Sequence, residues 1–364
     1  MWSGVERYSL DICRHYSHEG CDVLAITRDA RAVDDVFRRN GVLVRFAPLG
    51  GFFSYGAVRA ICDVLNEDHS RTVIHCHDTR DAFCALTARS LLGRRDIRVI
   101  LTRHYVRRAG RSPFHKYTYR NVDRLIFVSE AARSRFLSGW QWNKDRFADD
   151  VSGVVIHNSL NIPLSGVAQE PPRGAVTGMY LGRLAPDKGL EQIIGALSML
   201  RGSRLRMRLV GTGHPDYVDS LRRRAEDAGV MEMIDWPRHR EDTDGLIRLS
   251  HFGVLPSTAP EAFGMSNLEF MAEGRPIICT GNGAQPEYIS DRREGILVAP
   301  GDIRGLATEM QRLATDRHLR LTLGQAARCR FENELSWPHF IRKLDKEYFL
   351  DFSGEKFGKF AEKN

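Results

Sequence analysis

Short apolar runs alternate with longer stretches whose apolar residues recur at helical spacing along almost the whole chain. In the first half the runs at 22–27, 42–46, 72–75, 98–102, 124–128 and 153–157 read as strands. In the second half those at 177–181, 206–210, 233–236, 252–255, 276–279 and 295–298 do the same. Strands separated by helices of this length predict βαβ units, and hence parallel sheets with both faces covered. Between the two sets, residues 163–179 hold Pro163, Pro171 and Pro172 among glycines, a composition that interrupts regular structure and reads as a linker. The expected fold class is α/β, with doubly wound, Rossmann-like domains at 1–165 and 166–335 and a helix and tail at 336–364 that packs back on the first. Two such domains leave a cleft between the carboxyl ends of their sheets, where folds of this kind bind ligands. The opening is unusual. A glycine turn at Ser3-Gly4 and a helix over about 5–19 have no strand ahead of them, so the first strand is either absent from the chain or lies upstream.

Composition narrows the class. With 364 residues, 42% of them apolar and 27% charged, the chain is neither disordered nor collagen-like. No run approaches the roughly 18 apolar residues of a membrane-spanning helix, and no signal peptide is expected at an opening that turns polar at once. Seven cysteines form no Cys-x-x-Cys pair, which excludes a paired-cysteine zinc site and a full disulfide framework and points to a reducing cytosol. The net charge of +7 is uneven: residues 1–165 hold 25 basic against 18 acidic side chains, and residues 166–364 hold 28 of each. Arg103 to Arg120 carries six cations and no acid, so the surplus is one focused patch. No zinc-finger, helix-turn-helix or RNA-recognition signature accompanies it, and nucleic acid is not an expected partner.

Two blocks carry chemistry. In the first, a strand ends at Leu181, Gly182 turns the chain, and a helix is expected from about Asp187 to Leu200. Arg183 and Lys188 then stand at the positive end of that helix, which opposes its dipole unless a polyanion binds between them. Lys188 is the only lysine between Lys144 and Lys343 in a chain that prefers arginine, so a compact point charge is a specific choice there. In the second block a strand ends near Pro256, a loop holds Glu261 and Gly264, and a helix is expected from Ser266. Ser266 with Glu269 reads as a capping box, and equally Gly264 opens backbone amides to an anion while the two glutamates offer carboxylates to hydroxyls.

Taken together, Gly182-Arg-Leu-x-x-x-Lys-Gly189 and, about 70 residues later, Glu261-x7-Glu269 resemble the signature of glycosyltransferase family 4, the retaining enzymes of the GT-B fold. The resemblance extends over 177–335, through Leu209-Val-Gly-Thr-Gly213 and the Gly274 to Glu287 segment. It continues more faintly in Ser3-Gly-Val-Glu6, His75-Cys-His-Asp78, Leu101-Thr-Arg-His104 and Val155-Ile-His-Asn158. Ser3 departs from the glycine the family has at that point.

The resemblance implies that Arg183 and Lys188 grip the diphosphate of a sugar nucleotide, that Glu269 accepts the ribose hydroxyls and that Glu261 contacts the donor sugar. It implies that backbone amides at Phe263, Gly264, Met265 and Ser266 hold sugar and phosphate, that Gly4 approaches the phosphate from the first domain, and that Arg238 reads the base. His104 matches the family histidine near the reacting sugar. UDP-sugars are the commoner donors in such a family. No Asp-x-Asp metal motif appears in a plausible site and Arg plus Lys make a divalent ion unnecessary, so no metal and no resident cofactor is expected, the nucleotide sugar being a co-substrate. Retention without a carboxylate nucleophile fits front-face displacement.

In the basic segment, Arg107, Arg108, Arg111 and Lys116 interleave with Phe114 and Tyr117, and Pro113 suits a helix start. Aromatic rings with flanking cations describe a surface for anionic lipid, which implies a lipid-linked or lipopolysaccharide acceptor and a peripheral place on the inner face of the cytoplasmic membrane. The alternatives are a sugar-nucleotide epimerase on the same fold and a non-catalytic nucleotide-sugar-binding subunit. A dinucleotide oxidoreductase is disfavoured, because Gly211-Thr-Gly213 lacks the third glycine.

Overall fold

The computed structural model describes residues 4–28, 31–67, 70–139, 153–162, 170–171, 174–237 and 243–349. The described residues of Met1–Asn158 and Phe340–Asn364 form one compact unit, and Ser159–His339 forms the other.

The first unit runs α1 (Gly4–His18), β1 (Leu24–Thr27), α2 (Arg31–Arg39), β2 (Leu43–Phe46), α3 (Tyr55–Glu67), β3 (Thr72–Cys76), α4 (Thr79–Leu92), β4 (Ile97–Arg103), α5 (Pro113–Asn121), β5 (Arg124–Phe127), α6 (Glu130–Ser138) and β6 (Val154–Val155). Its strands do not form the single sheet expected of a doubly wound domain. β1 and β2 pair parallel by themselves, and β3-β4-β5-β6 make a separate parallel sheet. Every residue of β1 and most of β3 is only half-buried, whereas β4 is buried along nearly its whole length. Helix α1 spans the division. Its Leu10 clusters with Phe37 and Val42 of the two-stranded part, while Tyr8 sets its ring edge-on against His75, His77 and His104.

The second unit runs β7 (Val176–Leu181), α7 (Leu190–Met199), β8 (Leu205–Val210), α8 (Pro215–Asp227), β9 (Ile234–Asp235), α9 (Thr243–Arg248), β10 (Phe252–Leu255), α10 (Met265–Ala272), β11 (Ile277–Thr280), α11 (Gln285–Tyr288), β12 (Ile296–Val298), α12 (Ile303–Thr315) and α13 (Arg317–Arg330). All six strands are parallel in the order β12-β11-β10-β7-β8-β9. Chain order therefore reverses between β7 and β10, which makes the loops leaving those two strands the ligand-binding edge of a doubly wound sheet. Every residue of β10 and β11 is buried, as a strand covered on both faces requires.

A last helix, α14 (Trp337–Phe349), follows. From Phe340 on it belongs with the first unit: Tyr16 donates to Asp345 at 2.7 Å, Arg124 pairs with Glu347 at 2.8 Å, and Phe340 meets the Tyr8 ring at 5.5 Å between centroids. Residues 163–169 and 172–173 of the expected linker, and the tail beyond 349, lie outside the described residues.

Candidate functional site

The site of the second unit is made by three loops at the carboxyl edge of its sheet. After β7 the expected helix from Asp187 is a single 3₁₀ turn, Pro186–Lys188, and α7 begins only at Leu190. That turn lifts Lys188 off the helix barrel. Its Nζ lies 2.6 Å from Glu261 Oε1 in the loop after β10. Ser257, also after β10, donates its hydroxyl to the same oxygen. The two side chains of the ion pair are 19% and 11% exposed, so each charge depends on the other for its solvation. Arg183 faces outward and is held by Asp187 at 3.0 Å, an exposed pair of small worth. The loops are also joined through the backbone: Thr258 N–H donates to the Asp187 carbonyl at 3.0 Å, and Ala284 N–H donates to the Glu261 carbonyl at 2.9 Å.

Helix α10 starts earlier than its capping pattern predicts, and the capping box is not made. Gly264 is the N-cap at φ 86°, a left-handed conformation that costs glycine little, and no side chain caps the helix. Met265 and Ser266 therefore occupy the first two helical positions, and Glu269 sits a full turn inside, buried. With Ser266 inside the helix, Glu269 cannot serve as its reciprocal partner. The first turn of α10 directly follows the loop that holds Glu261, and amides of a first helical turn are the groups by which helix N-termini hold anions. Phe263 is fixed beneath it, its carbonyl accepting from Tyr288 and its ring stacked on that tyrosine. Arg238 lies outside the described residues.

In the first unit Gly4 opens α1, and His104 follows β4, buried. His104 Nε2 lies 3.0 Å from His77 Nδ1, and His75 is held between Tyr348 OH at 2.5 Å and Thr102 Oγ1 at 2.6 Å. Burial first, and then neighbouring histidine and arginine charges, push His104 well below the ordinary histidine range, and burial takes His77 down to about 4. Both rings are neutral at physiological pH. Sequence reading singled out His104 and gave His77 no role; the partner lies 27 positions away and only the β3–β4 pairing joins them.

The basic segment folds as predicted at its centre, with Ser112 capping α5 and Pro113 as its first residue. Arg107, Arg108, Arg111 and Tyr117 are exposed, Lys116 is half-buried, and Tyr119 is turned inward. Phe114 is half-buried against Phe52, Phe53 and Phe83. Two rings that the segment itself did not reveal stand out from the α3 end: Phe53 and Tyr55 are 77% and 78% exposed. Phe53 meets Phe114 at 4.7 Å between ring centroids, which ties the exposed ring to α5.

A six-stranded parallel sheet with cations after its first strand and carboxylates after its fourth, following another α/β unit, is the architecture of GT-B glycosyltransferases. Comparison with known proteins makes the assignment: the family model "Glycosyltransferase Family 4" matches residues 2–148 and "Glycosyl transferases group 1" matches 169–330. The chain belongs to these glycosyltransferases. Among curated relatives, it is 28% identical over 206 residues to the glycogen synthase of Mycobacterium tuberculosis, covering 56% of this chain and 50% of that one. It is 25% identical over 221 residues to the lipopolysaccharide core biosynthesis glycosyltransferase LpsE of Rhizobium meliloti, covering 60% of this chain and 62% of that one. These matches thus span between half and somewhat under two thirds of the relatives' own length. The fold is that of a glycosyltransferase from Rickettsia africae (TM-score 0.81, 18% identity, 95% and 94% of the two chains). It is also that of Anabaena Alr3699/HepE, solved with UDP (TM-score 0.79, 18% identity, 94% and 95%).

Proposed function

We propose that the protein is a retaining, metal-independent hexosyltransferase that uses a nucleotide diphosphate sugar, UDP-linked, and delivers the sugar to a lipid-linked or lipopolysaccharide acceptor at the cytoplasmic face of a membrane. The observation that carries this is the half-buried Lys188–Glu261 pair at the point where strand order reverses, beside the N-terminus of α10. In the transfer step the bond between the anomeric carbon and the leaving phosphate oxygen breaks while the bond to the acceptor oxygen forms on the same face. The acceptor's proton passes to the departing diphosphate. Negative charge then grows on the diphosphate, where Lys188, Arg183 and the α10 amides stabilise it without reorganising. Both contacts of Glu261 fall on Oε1, which leaves Oε2 for a sugar hydroxyl. Glu269 is assigned to the ribose, and His104 acts for the first unit on the reacting sugar. The relatives support the choice of partners: one is named for lipopolysaccharide core biosynthesis, another for phosphatidylinositol monomannoside, and HepE was also solved with UDP-glucose.

The activity is tested by release of UDP from a UDP-hexose series in EDTA, with and without an envelope glycolipid fraction. Release that requires the acceptor, is unaffected by EDTA and gives a product of retained anomeric configuration is expected. Conversion of the donor without acceptor identifies the epimerase instead, and binding without turnover identifies a non-catalytic subunit.

Membrane association has its own test. No helix among the described residues is long and apolar enough to cross a membrane. The exposed rings of Phe53, Tyr55 and Tyr117 and the exposed cations Arg107, Arg108 and Arg111 suit adsorption, with each cation worth on the order of 1 kcal/mol against an anionic leaflet. Co-sedimentation with vesicles containing anionic lipid should fall steeply with salt and with the triple change of Arg107, Arg108 and Arg111 to serine. Replacing Phe53 and Tyr55 by serine should weaken the salt-resistant remainder. Binding indifferent to lipid charge removes the membrane from the account.

A further inference from the structure

We propose that His77 is the positioning residue of His104: through one N–H···N bond it sets which ring nitrogen of His104 carries the proton and how the ring is aimed. The inference rests on His104 acting in sugar transfer, as assigned above. The parallel register of β3 and β4 pairs Cys76 with Leu101, so the residues just past each strand emerge together at the carboxyl edge. There His77 Nδ1 and His104 Nε2 stand 3.0 Å apart.

Two neutral imidazoles at that distance share one proton. Burial keeps both rings neutral, so one nitrogen of the pair donates and the other accepts. The consequence reaches the far side of His104. If Nε2 accepts from His77, Nδ1 carries the proton and is a donor; if Nε2 donates, Nδ1 is an acceptor. The state of His77 therefore decides whether His104 offers a proton or a lone pair to a sugar hydroxyl.

The geometry around the pair leaves little freedom to either ring. Tyr8 of α1 lies edge-on to both, at 4.9 Å from His104 and 5.7 Å from His77 between centroids. His75 lies 4.5 Å from the His77 ring and is itself tied to β4 through Thr102 and to α14 through Tyr348. A helix at each end of the described chain thus braces the histidine that precedes the reacting one.

Three variants separate positioning from packing. His77→Phe keeps a planar ring against Tyr8 and His75 but cannot make the bond, while His77→Asn places an amide near the former Nδ1. His104→Ala marks the limit of loss. The expected result is that His77→Phe lowers kcat at least ~10-fold with donor KM within twofold, as misaiming a catalytic group does, and that His77→Asn recovers most of kcat. Nitrogen-15 spectra of imidazole-labelled protein should show one His104 tautomer in the wild type and in His77→Asn, and a mixture in His77→Phe. The tautomer readout needs no turnover, so it decides the His77–His104 link even if the donor or acceptor has been misassigned. An unchanged His104 tautomer in His77→Phe, or kcat within twofold of wild type in that variant, overturns the proposal. If His77→Phe does not fold, the same tautomer reading on His77→Gln, whose amide is displaced from the Nδ1 position, decides it: an unchanged His104 tautomer there overturns the proposal equally.

Discussion

Replacing Lys188 with alanine is expected to lower sugar transfer at least ~100-fold, the scale of losing a preorganised charge contact at a developing anion, while the circular dichroism of the folded protein stays unchanged. Two consequences add. The diphosphate loses a cation held in place before it arrives, and Glu261 keeps its charge in a setting where its side chain is only 11% exposed and Ser257 is its one remaining partner. Breaking one half of such a pair costs more than the pair contributes. Arg183→Ala should act in the same direction and less severely. Its side chain is 53% exposed and paired with Asp187, so solvent and that carboxylate already compete for it. The order Lys188 before Arg183 is the checkable content, read from kcat/KM of the two variants. Near-normal turnover in both contradicts the assignment of the anion site.

Gly283→Ala should damage stability and activity together. Gly283 has φ 62°, and an alanine Cβ there would stand 2.2 Å from the Glu261 carbonyl oxygen and 2.5 Å from the Glu261 nitrogen. Both atoms belong to backbone and cannot rotate away. The left-handed conformation costs a non-glycine residue about 1 kcal/mol, and a clash with main chain brings the total to at least ~2 kcal/mol. For a unit of this size that corresponds to a fall in Tm of roughly 4–8 °C. Relief comes by pushing Glu261 aside, which separates it from Lys188. Gly301→Ala is the control, because its φ of 82° carries the same backbone strain with nothing within 4 Å of the added carbon. Gly301→Ala should lose only the conformational part and keep transfer. Equal losses in the two variants would show that loop contact with Glu261 does not matter.

The central strands were legible because parallel strands covered on both faces must be apolar along their length, and Phe252–Leu255 is such a run from end to end. Arg183, Lys188, Glu261 and Glu269 were legible one at a time through motif spacing. Their pairing was not: Lys188 and Glu261 are 73 positions apart, and only the neighbouring places of β7 and β10 in the sheet bring them to 2.6 Å. The cap of α10 was misread for a local reason. Ser266 with Glu269 satisfies the side-chain rule, but the left-handed backbone of Gly264 sets the cap two residues earlier and leaves the serine inside the helix. The bond between His75 and Tyr348 spans 273 positions, and the contact of Phe53 with Phe114 joins the segment before α3 to helix α5, so neither has a periodic signal. The division of the first sheet follows from strand neighbours, which sequence order alone does not dictate.

The central claim is that a nucleotide diphosphate sugar binds where Lys188 meets Glu261, and thermal unfolding in the presence of UDP-, GDP- and ADP-hexoses tests it most directly. One of them at 100 times its Kd should stabilise the wild type by about 2.7 kcal/mol, a ligand-linked shift that depends on binding alone. UDP-hexose is the expected donor, and the same concentration should give little or no shift with Lys188→Ala. A wild-type protein that no nucleotide sugar stabilises, or a shift of equal size in Lys188→Ala, contradicts the account.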